Sequence, residues 1–148
     1  MQRSITRSVS INPMALSMDV DVANPAASDK DSSLLWLRAK AIWDTGAQLC
    51  MIIRALCRKL KFEPRIKVKF SGVGGEFDGV HDVVYLSLSC DNVTFLIALA
   101  GVTESIPGGY DMLIGMDVIT QGDFNVSTTN GSITFTFAPY PGKLKRRT

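Results

Sequence analysis

The sequence predicts a mainly β fold, a closed barrel-like sheet with one or two short helices. Many short strand-like segments follow one another at even spacing, and little of the chain has helical periodicity. With 148 residues, 46% of them hydrophobic and 20% charged, the composition is typical of one globular domain with a single core. We expect that domain at residues 34–138, between a flexible N-terminal arm (1–33) and a basic C-terminal tail (139–148).

The arm is predicted from its polar composition. Residues 1–33 are rich in Ser, Asp, Asn and Ala and contain Pro13 and Pro25, which indicates mostly irregular structure. Residues 18–22 alternate between apolar and polar side chains and could add a strand. Such an arm could equally pair with the sheet edge of another subunit.

The domain begins with a strand followed by a helix. Residues 34–43 alternate, so that one face carries Leu35, Leu37, Ala39, Ala41 and Trp43, and the strand delivers Asp44 at its end. Apolar residues then recur at helical spacing, which predicts an amphipathic helix packed on the sheet; they are Leu49, Ile53, Leu56 and Leu60.

A hairpin is predicted next. Residues 66–70 and 83–90 alternate as strands, and four glycines lie between them at 71–79. A plain flexible hairpin explains this pattern, and so does a flap that closes over a cleft.

The remaining elements are short. The nearly continuous apolar run 93–100 predicts a strand buried on both faces. Residues 111–115 predict a strand, and 116–121 a short helix closed by Gly122. Segments 124–127 and 133–137 flank Asn130-Gly131, which predicts a terminal hairpin with a type I′ turn that ends at Pro139 and Pro141.

Charge and cysteine content limit the partners. The net charge is +2, and the basic residues at 54–69 and 143–147 are explained by solvation, so we expect no nucleic-acid partner. No apolar run reaches the roughly 18 residues of a membrane span, so we expect no membrane partner.

Cys50, Cys57 and Cys90 form no disulfide or metal pattern and indicate reduced core thiols in an intracellular, cytoplasmic protein. We expect no cofactor and no metal.

The targeting signals of the N-terminus are weak. Residues 1–8 are basic and Ser-rich, but no continuous apolar segment follows them. We therefore expect no secretory signal, and an organelle transit peptide remains the open alternative.

The most informative stretch is Asp44-Thr45-Gly46, which lies between two apolar runs. A carboxylate in such a place is either exposed at a tight turn or held for chemistry, because an unpartnered buried acid is costly. Taken alone, the tripeptide is an ordinary turn sequence.

Two further motifs follow in order, a glycine-rich stretch at 71–77 and Leu-Ile-Gly-Met-Asp at 113–117. Together with Asp-Thr-Gly-Ala at 44–47, they resemble the retropepsin family, the retroviral-type aspartic proteases and their cellular and bacterial relatives. The resemblance covers residues 34–137. It implies the retropepsin (acid protease) barrel and an aspartic endopeptidase that acts as a homodimer, with its site at the two-fold interface.

Chemistry of this kind needs two carboxylates that share one proton, because two close carboxylates cannot both ionise. One activates a water molecule and the other polarises the scissile carbonyl, and the pair titrates as a unit. Asp78, Asp117 and Asp123 do not follow an apolar strand into a Thr-Gly turn. The second carboxylate must then be Asp44 of a second copy, related by two-fold symmetry.

The resemblance also implies roles for single residues. Asp44 would be the catalytic acid and base, Thr45 would brace the loops across the dimer, and Gly46 would offer its carbonyl to the substrate. Substrate would bind as an added strand, with hydrophobic residues at the cleavage site. The residues implied in substrate binding are Ala47, Gln48, Val73, Gly74, Gly75 and Glu76.

The sequence departs from the viral pattern at two positions. Viral members often carry a pair of opposite charges where this chain has Gln48 and Met116, so it is more similar to the cellular and bacterial branch. We expect Asp117 to cap a helix and His81 to be solvated. The alternative function is a non-catalytic peptide-binding or dimerisation module on the same fold.

Overall fold

A computed structural model describes residues 4–10, 15–27, 35–64, 66–71, 79–91, 93–129 and 131–141. Over these residues the chain forms ten strands, two short α-helices and a 3-10 turn at Pro25–Ala27. The first strands and helix are β1 (Ile5–Ser10), β2 (Ser17–Ala23), β3 (Trp36–Trp43), β4 (Met51–Ile53), α1 (Arg54–Lys59) and β5 (Ile66–Phe70). They are followed by β6 (Gly79–Cys90), β7 (Val93–Thr103), β8 (Met112–Ile114), α2 (Met116–Ile119), β9 (Gly122–Thr129) and β10 (Ser132–Pro139).

Six strands close into a barrel, which confirms the predicted fold class. Their order is β2-β3-β8-β4-β7-β6, and the ring is closed where Asp21–Ala23 of β2 pairs with Ser87–Ser89 of β6. The outer part of β6 runs beyond the ring and pairs with β5. The hairpin strands are therefore an extension of the barrel wall.

A second sheet of three strands, in the order β1-β10-β9, packs against the barrel through aromatic side chains. The Trp43 ring stacks on Phe124, with 5.4 Å between centroids, and contacts Phe137 at 5.2 Å. Edge and offset contacts of this kind stabilise beyond simple burial of area. Trp43, the residue before Asp44, is thereby fixed by both sheets.

The structure corrects the expectation that segment 1–33 is an irregular arm. Its described part contributes β1 and β2, and β2 lies between β3 and β6 as a member of the closed ring. Ile5 and Val22 are fully buried, so the apolar positions of both strands belong to the core. Both strands pair within the same chain, β1 with β10 and β2 with β3 and β6. Residues 1–3, 11–14 and 28–33 of the predicted arm, residue 34 of the predicted domain, and 142–148 of the tail lie outside the described residues.

The predicted helix at 49–60 is shorter than its apolar spacing indicates. Met51–Ile53 forms strand β4, which pairs in parallel with β7 and antiparallel with β8. The helix α1 begins only at Arg54 and buries Leu56 and Cys57. The partners available on both sides of β4 outweigh the helical tendency of this stretch.

Other expectations need smaller changes. Strands β3, β5, β6 and β8 and the terminal β9–β10 hairpin are confirmed, whereas β7 is not buried on both faces, because Leu99 is 41% exposed. Gly122 does not close α2 but begins β9, where a Cβ atom would lie 2.5 Å from the Ala138 carbonyl oxygen. The type I′ turn stays a prediction, because Asn130 lies outside the described residues.

Candidate active site

Asp44 lies where two neighbouring parallel strands end. Trp43 of β3 is in register with Ile114 of β8, and the Asp44 N–H donates to the Ile114 carbonyl at 2.9 Å. The chain then turns, with the Ala47 N–H donating to the Asp44 carbonyl at 3.3 Å. The Asp44 side chain is half-buried and the turn beside it is exposed. We name residues 44–50 the Asp44 loop.

The carboxylate is oriented by its own turn. Its Oδ1 accepts a hydrogen bond from the Gly46 N–H at 2.8 Å. A Cβ atom on Gly46 would lie 3.2 Å from the same oxygen, closer than most side chains tolerate. Glycine at this position therefore lets the backbone approach the carboxylate and donate to it.

The Asp44 loop rests on the start of α2. The Met116 N–H donates to the Ala47 carbonyl at 2.8 Å, and the Asp117 N–H donates to the Gln48 carbonyl at 3.1 Å. At Gly115 a Cβ atom would lie 2.7 Å from the Leu49 carbonyl oxygen, which is backbone and cannot swing away. The backbone of the Gly-Met-Asp motif thus supports the Asp44 loop.

The prediction that Asp117 caps a helix is wrong. The N-cap residue of α2 is Gly115, and Asp117 lies inside the first turn. Its Oδ2 accepts from the Cys50 N–H at 3.2 Å, and its Oδ1 accepts from the Cys50 thiol at 3.0 Å and from the Val118 N–H at 3.0 Å. Sequence reasoning missed Cys50, because nothing in the local pattern marks a cysteine 67 residues away from its carboxylate partner.

The Cys50 thiol is fully buried at the end of the Asp44 loop. The pKa of Cys50 is raised well above its ordinary value, first by burial and then by the negative charge of Asp117. The sulfur also accepts from the Gly115 N–H at 3.4 Å. The group is therefore a protonated thiol that donates to a carboxylate, with no character of a nucleophile.

An apolar surface adjoins the loop and reaches the hairpin. A small cluster of buried residues, separate from the main core, contains Met51, Ile106 and Leu113, and the residues packed against it are Ile42, Ala47, Ile53, Phe70 and Tyr110. The Phe70 ring lies over Gly101, where a Cβ atom would be 2.2 Å from it. Strand β5 is thereby docked on the same apolar surface as Ala47.

His81 is not a simple solvated side chain. It is half-buried, its ring stacks on Phe70 with 5.2 Å between centroids, and its Nδ1 is 3.1 Å from the Val102 carbonyl oxygen. This corrects the expectation from sequence. The histidine is part of the hairpin's attachment to the barrel.

Ion pairs centred on Asp82 also attach the hairpin to the barrel. Arg54, at the start of α1, contacts Asp82 of β6 at 3.4 Å and also pairs with Glu104 in the segment after β7. Lys67 of β5 contacts Asp82 at 3.0 Å. The pKa of Asp82 is lowered, first by the hydrogen bond from Lys67 and the charge of Lys67, and then by the hydrogen bond and charge of Arg54. These groups line a groove of about 420 Å³.

The structure brings some of the predicted site residues together. Residues 44–48 form one continuous turn beside the first turn of α2. The four flap residues implied in substrate binding, Val73, Gly74, Gly75 and Glu76, lie outside the described residues. Among the described residues, no three or more His, Cys, Asp or Glu side chains are grouped to hold a metal ion. In the same part of the chain, the helices are too short and polar to cross a bilayer.

Comparisons with known proteins agree with the architecture. A scan against models of protein families finds no match, and a search of curated proteins finds none either. Among solved structures, the chain is similar to a retropepsin-like aspartic protease from Rickettsia conorii, with a TM-score of 0.60 and 12% sequence identity. The match covers 95% of this chain and 97% of that chain. The two proteins therefore share a fold over nearly their whole lengths.

Proposed function

We propose that the protein is an aspartic endopeptidase that hydrolyses peptide bonds with a water molecule activated between two Asp44 carboxylates of a homodimer. The observation that supports this most is the placement of Asp44. Its carboxylate stands at the end of β3 on a turn supported by α2, in a fold shared with a retropepsin-like aspartic protease.

The contacts of three other aspartates support the need for a second copy. Asp117 is committed to Cys50, Asp111 accepts from the Lys40 N–H at 2.8 Å, and Asp82 is paired with Lys67. None of these carboxylates lies on the Asp44 turn. A second Asp44, brought by a two-fold axis, supplies the missing group, because an isologous interface places the same residue on both sides.

The reaction then follows from one shared proton. The ionised carboxylate takes a proton from the water as it attacks the scissile carbonyl carbon, and the protonated carboxyl donates to the carbonyl oxygen. The C–N bond of the tetrahedral intermediate breaks as one carboxyl group passes a proton to the leaving amine and the ionised carboxylate takes a proton from a hydroxyl of the intermediate, which restores the single shared proton. Because the active form carries one proton on the pair, activity should rise and fall with pH in the acidic range.

The apolar surface beside Ala47 supports a preference for hydrophobic substrate side chains. Ile53, Phe70 and Tyr110 are partly buried residues of that surface and are contributed by three different segments. An extended peptide next to the Asp44 turn would place an apolar side chain against it and keep its backbone for hydrogen bonds.

The test is cleavage of a peptide library by the wild type and by Asp44→Asn, across pH and protein concentration. We expect acid-dependent cleavage that rises more steeply than linearly with concentration, and no cleavage by the variant. Asp19→Asn, which changes an exposed aspartate on β2, is the matched control and should keep wild-type activity. Full activity of Asp44→Asn contradicts the proposal. Peptide binding without cleavage by either protein would favour the non-catalytic module instead.

A further inference from the structure

We propose that Asp117 and Cys50 are positioning residues, whose thiol-to-carboxylate contact holds the Asp44 loop in its reactive geometry. This proposal rests on the proposed function and assigns a role to two residues that do not touch substrate. The loop is tied to the β8–α2 segment at both ends. At the first end the tie is the Asp44 N–H to the Ile114 carbonyl, and at the far end it is the pair of bonds from Cys50 to Asp117.

The contacts at the far end are directional and partly buried. Both donors of Cys50, the backbone N–H and the thiol, reach the two different oxygens of one carboxylate. A carboxylate that accepts from both fixes the rotation of the Cys50 residue as well as its distance. The sulfur in turn accepts from the Gly115 N–H, so donor and acceptor capacity of the thiol are both used.

The geometry transmits this restraint to Asp44. The Ala47 and Gln48 carbonyls, in the middle of the loop, accept from the Met116 and Asp117 N–H groups, and these bonds need the loop to lie flat on α2. If the Cys50 end of the loop moves away from α2, the hydrogen bond from the Ala47 N–H to the Asp44 carbonyl is lost as well. A displacement of about 1 Å at a reacting group can cost roughly 100-fold in rate, so a remote contact of this kind can control turnover.

Buried thiols elsewhere supply a matched control. Cys57 of α1 is 3% exposed, close to the value for Cys50, but in the described part of the chain its sulfur has no hydrogen-bonded carboxylate. Cys50→Ala and Cys57→Ala therefore each remove the sulfur of a side chain that is shielded from solvent, and only the first removes the contact with Asp117.

The experiment measures kcat and KM for a peptide cleaved by the wild type, together with amide hydrogen exchange of each protein. We expect Cys50→Ala to lower kcat roughly tenfold or more with KM changed by less than about threefold, and Met116 and Asp117 amides to exchange about tenfold faster. Cys50→Ser, which keeps a donor, should restore most of kcat, and Cys57→Ala should leave kcat and these amides unchanged.

Equal effects of Cys50→Ala and Cys57→Ala, or unchanged exchange at Met116 and Asp117, would overturn the proposal. If Cys50→Ala does not fold, Asp117→Asn decides, because it keeps the side-chain volume and removes one acceptor; wild-type kcat in that variant counts against the role. If the wild type cleaves no peptide, the protease assignment fails by itself, while the exchange data still show whether the contact holds the loop.

Discussion

The Asp44 loop and the base of the β5–β6 hairpin are held to the barrel by different forces. The loop is held by backbone hydrogen bonds and by the buried Cys50 thiol, which donates to the Asp117 carboxylate. It also packs so closely on Gly115 that no side chain would fit there. The hairpin base is held by one aromatic ring on an apolar patch and by partly exposed ion pairs such as Lys67–Asp82. Buried and directional contacts favour a single geometry, whereas exposed ion pairs are weak and easily remade. The difference predicts that the Asp44 loop is the more rigid of these two regions.

The largest effect is expected from a change at the rigid side. Gly115→Ala places a Cβ atom 2.7 Å from the Leu49 carbonyl oxygen, and neither backbone segment can yield without breaking loop contacts. We expect a loss of about 1–3 kcal/mol in the free energy of unfolding and loss of most activity. Chemical denaturation and peptide cleavage measure both. Gly131→Ala, at a glycine with open space around it, is strained only by its positive φ and should retain activity. Equal loss of activity in the two variants would contradict the account.

An intermediate effect is expected where the hairpin is docked. Phe70→Ala removes the ring that covers Gly101 and stacks on His81. Because Phe70 is only partly buried, we expect the free energy of unfolding to fall by about 1–2 kcal/mol, less than for a fully buried phenylalanine. The loss should appear as faster amide exchange in β5 and a higher KM. Exchange at the Asp44 and Met116 amides should not change, and if it does, the two regions are not independent.

The smallest effect is expected at the ion pairs, and it depends on pH. The pKa of Asp82 is lowered in the folded protein, so its pairing stabilises the hairpin above the pKa of the unfolded chain, and this stability is lost as the pH falls through the folded value. Asp82→Asn should therefore speed exchange of β5 amides modestly at pH 7, less so at high salt, and not at all once the pH lies below the folded pKa of Asp82. A pH-independent effect of the same size would mean that the carboxylate acts through packing.

How far the sequence predicts the fold depends on how much each segment signals by itself. Strand β3 and the Asp44 turn were predictable, because alternation and a turn tripeptide are local signals. Strand β1 was not, because its outer face pairs hydroxyl with hydroxyl, as in Ser8 with Thr134 at 2.8 Å, and so has the polar composition of a disordered arm. Strand β4 was hidden by apolar spacing that fits a helix equally well.

The site shows the same division. Asp44 and the glycine at 115 belong to motifs that resemble those of the retropepsin family and were therefore visible in the sequence. The contact between Cys50 and Asp117 joins residues distant in sequence and was not. The docking of Phe70 on Gly101 likewise becomes visible only once β5 and β7 are folded on one another. The roles of Val73, Gly74, Gly75 and Glu76, the cytoplasmic location and the cellular or bacterial branch stay predictions.

The central claim is that one chain supplies one catalytic carboxylate and a second copy supplies the other. A subunit-mixing experiment tests this most directly. The wild type is held at a fixed concentration, high enough that all chains are dimeric, inactive Asp44→Asn protein is added, and peptide cleavage is measured. If both carboxylates are needed and pairing is random, cleavage should fall to about half at equal amounts and to about a quarter with a threefold excess of the variant. Cleavage that stays constant while the variant is added, with mixed dimers demonstrated, would show that a single Asp44 suffices and would contradict the account.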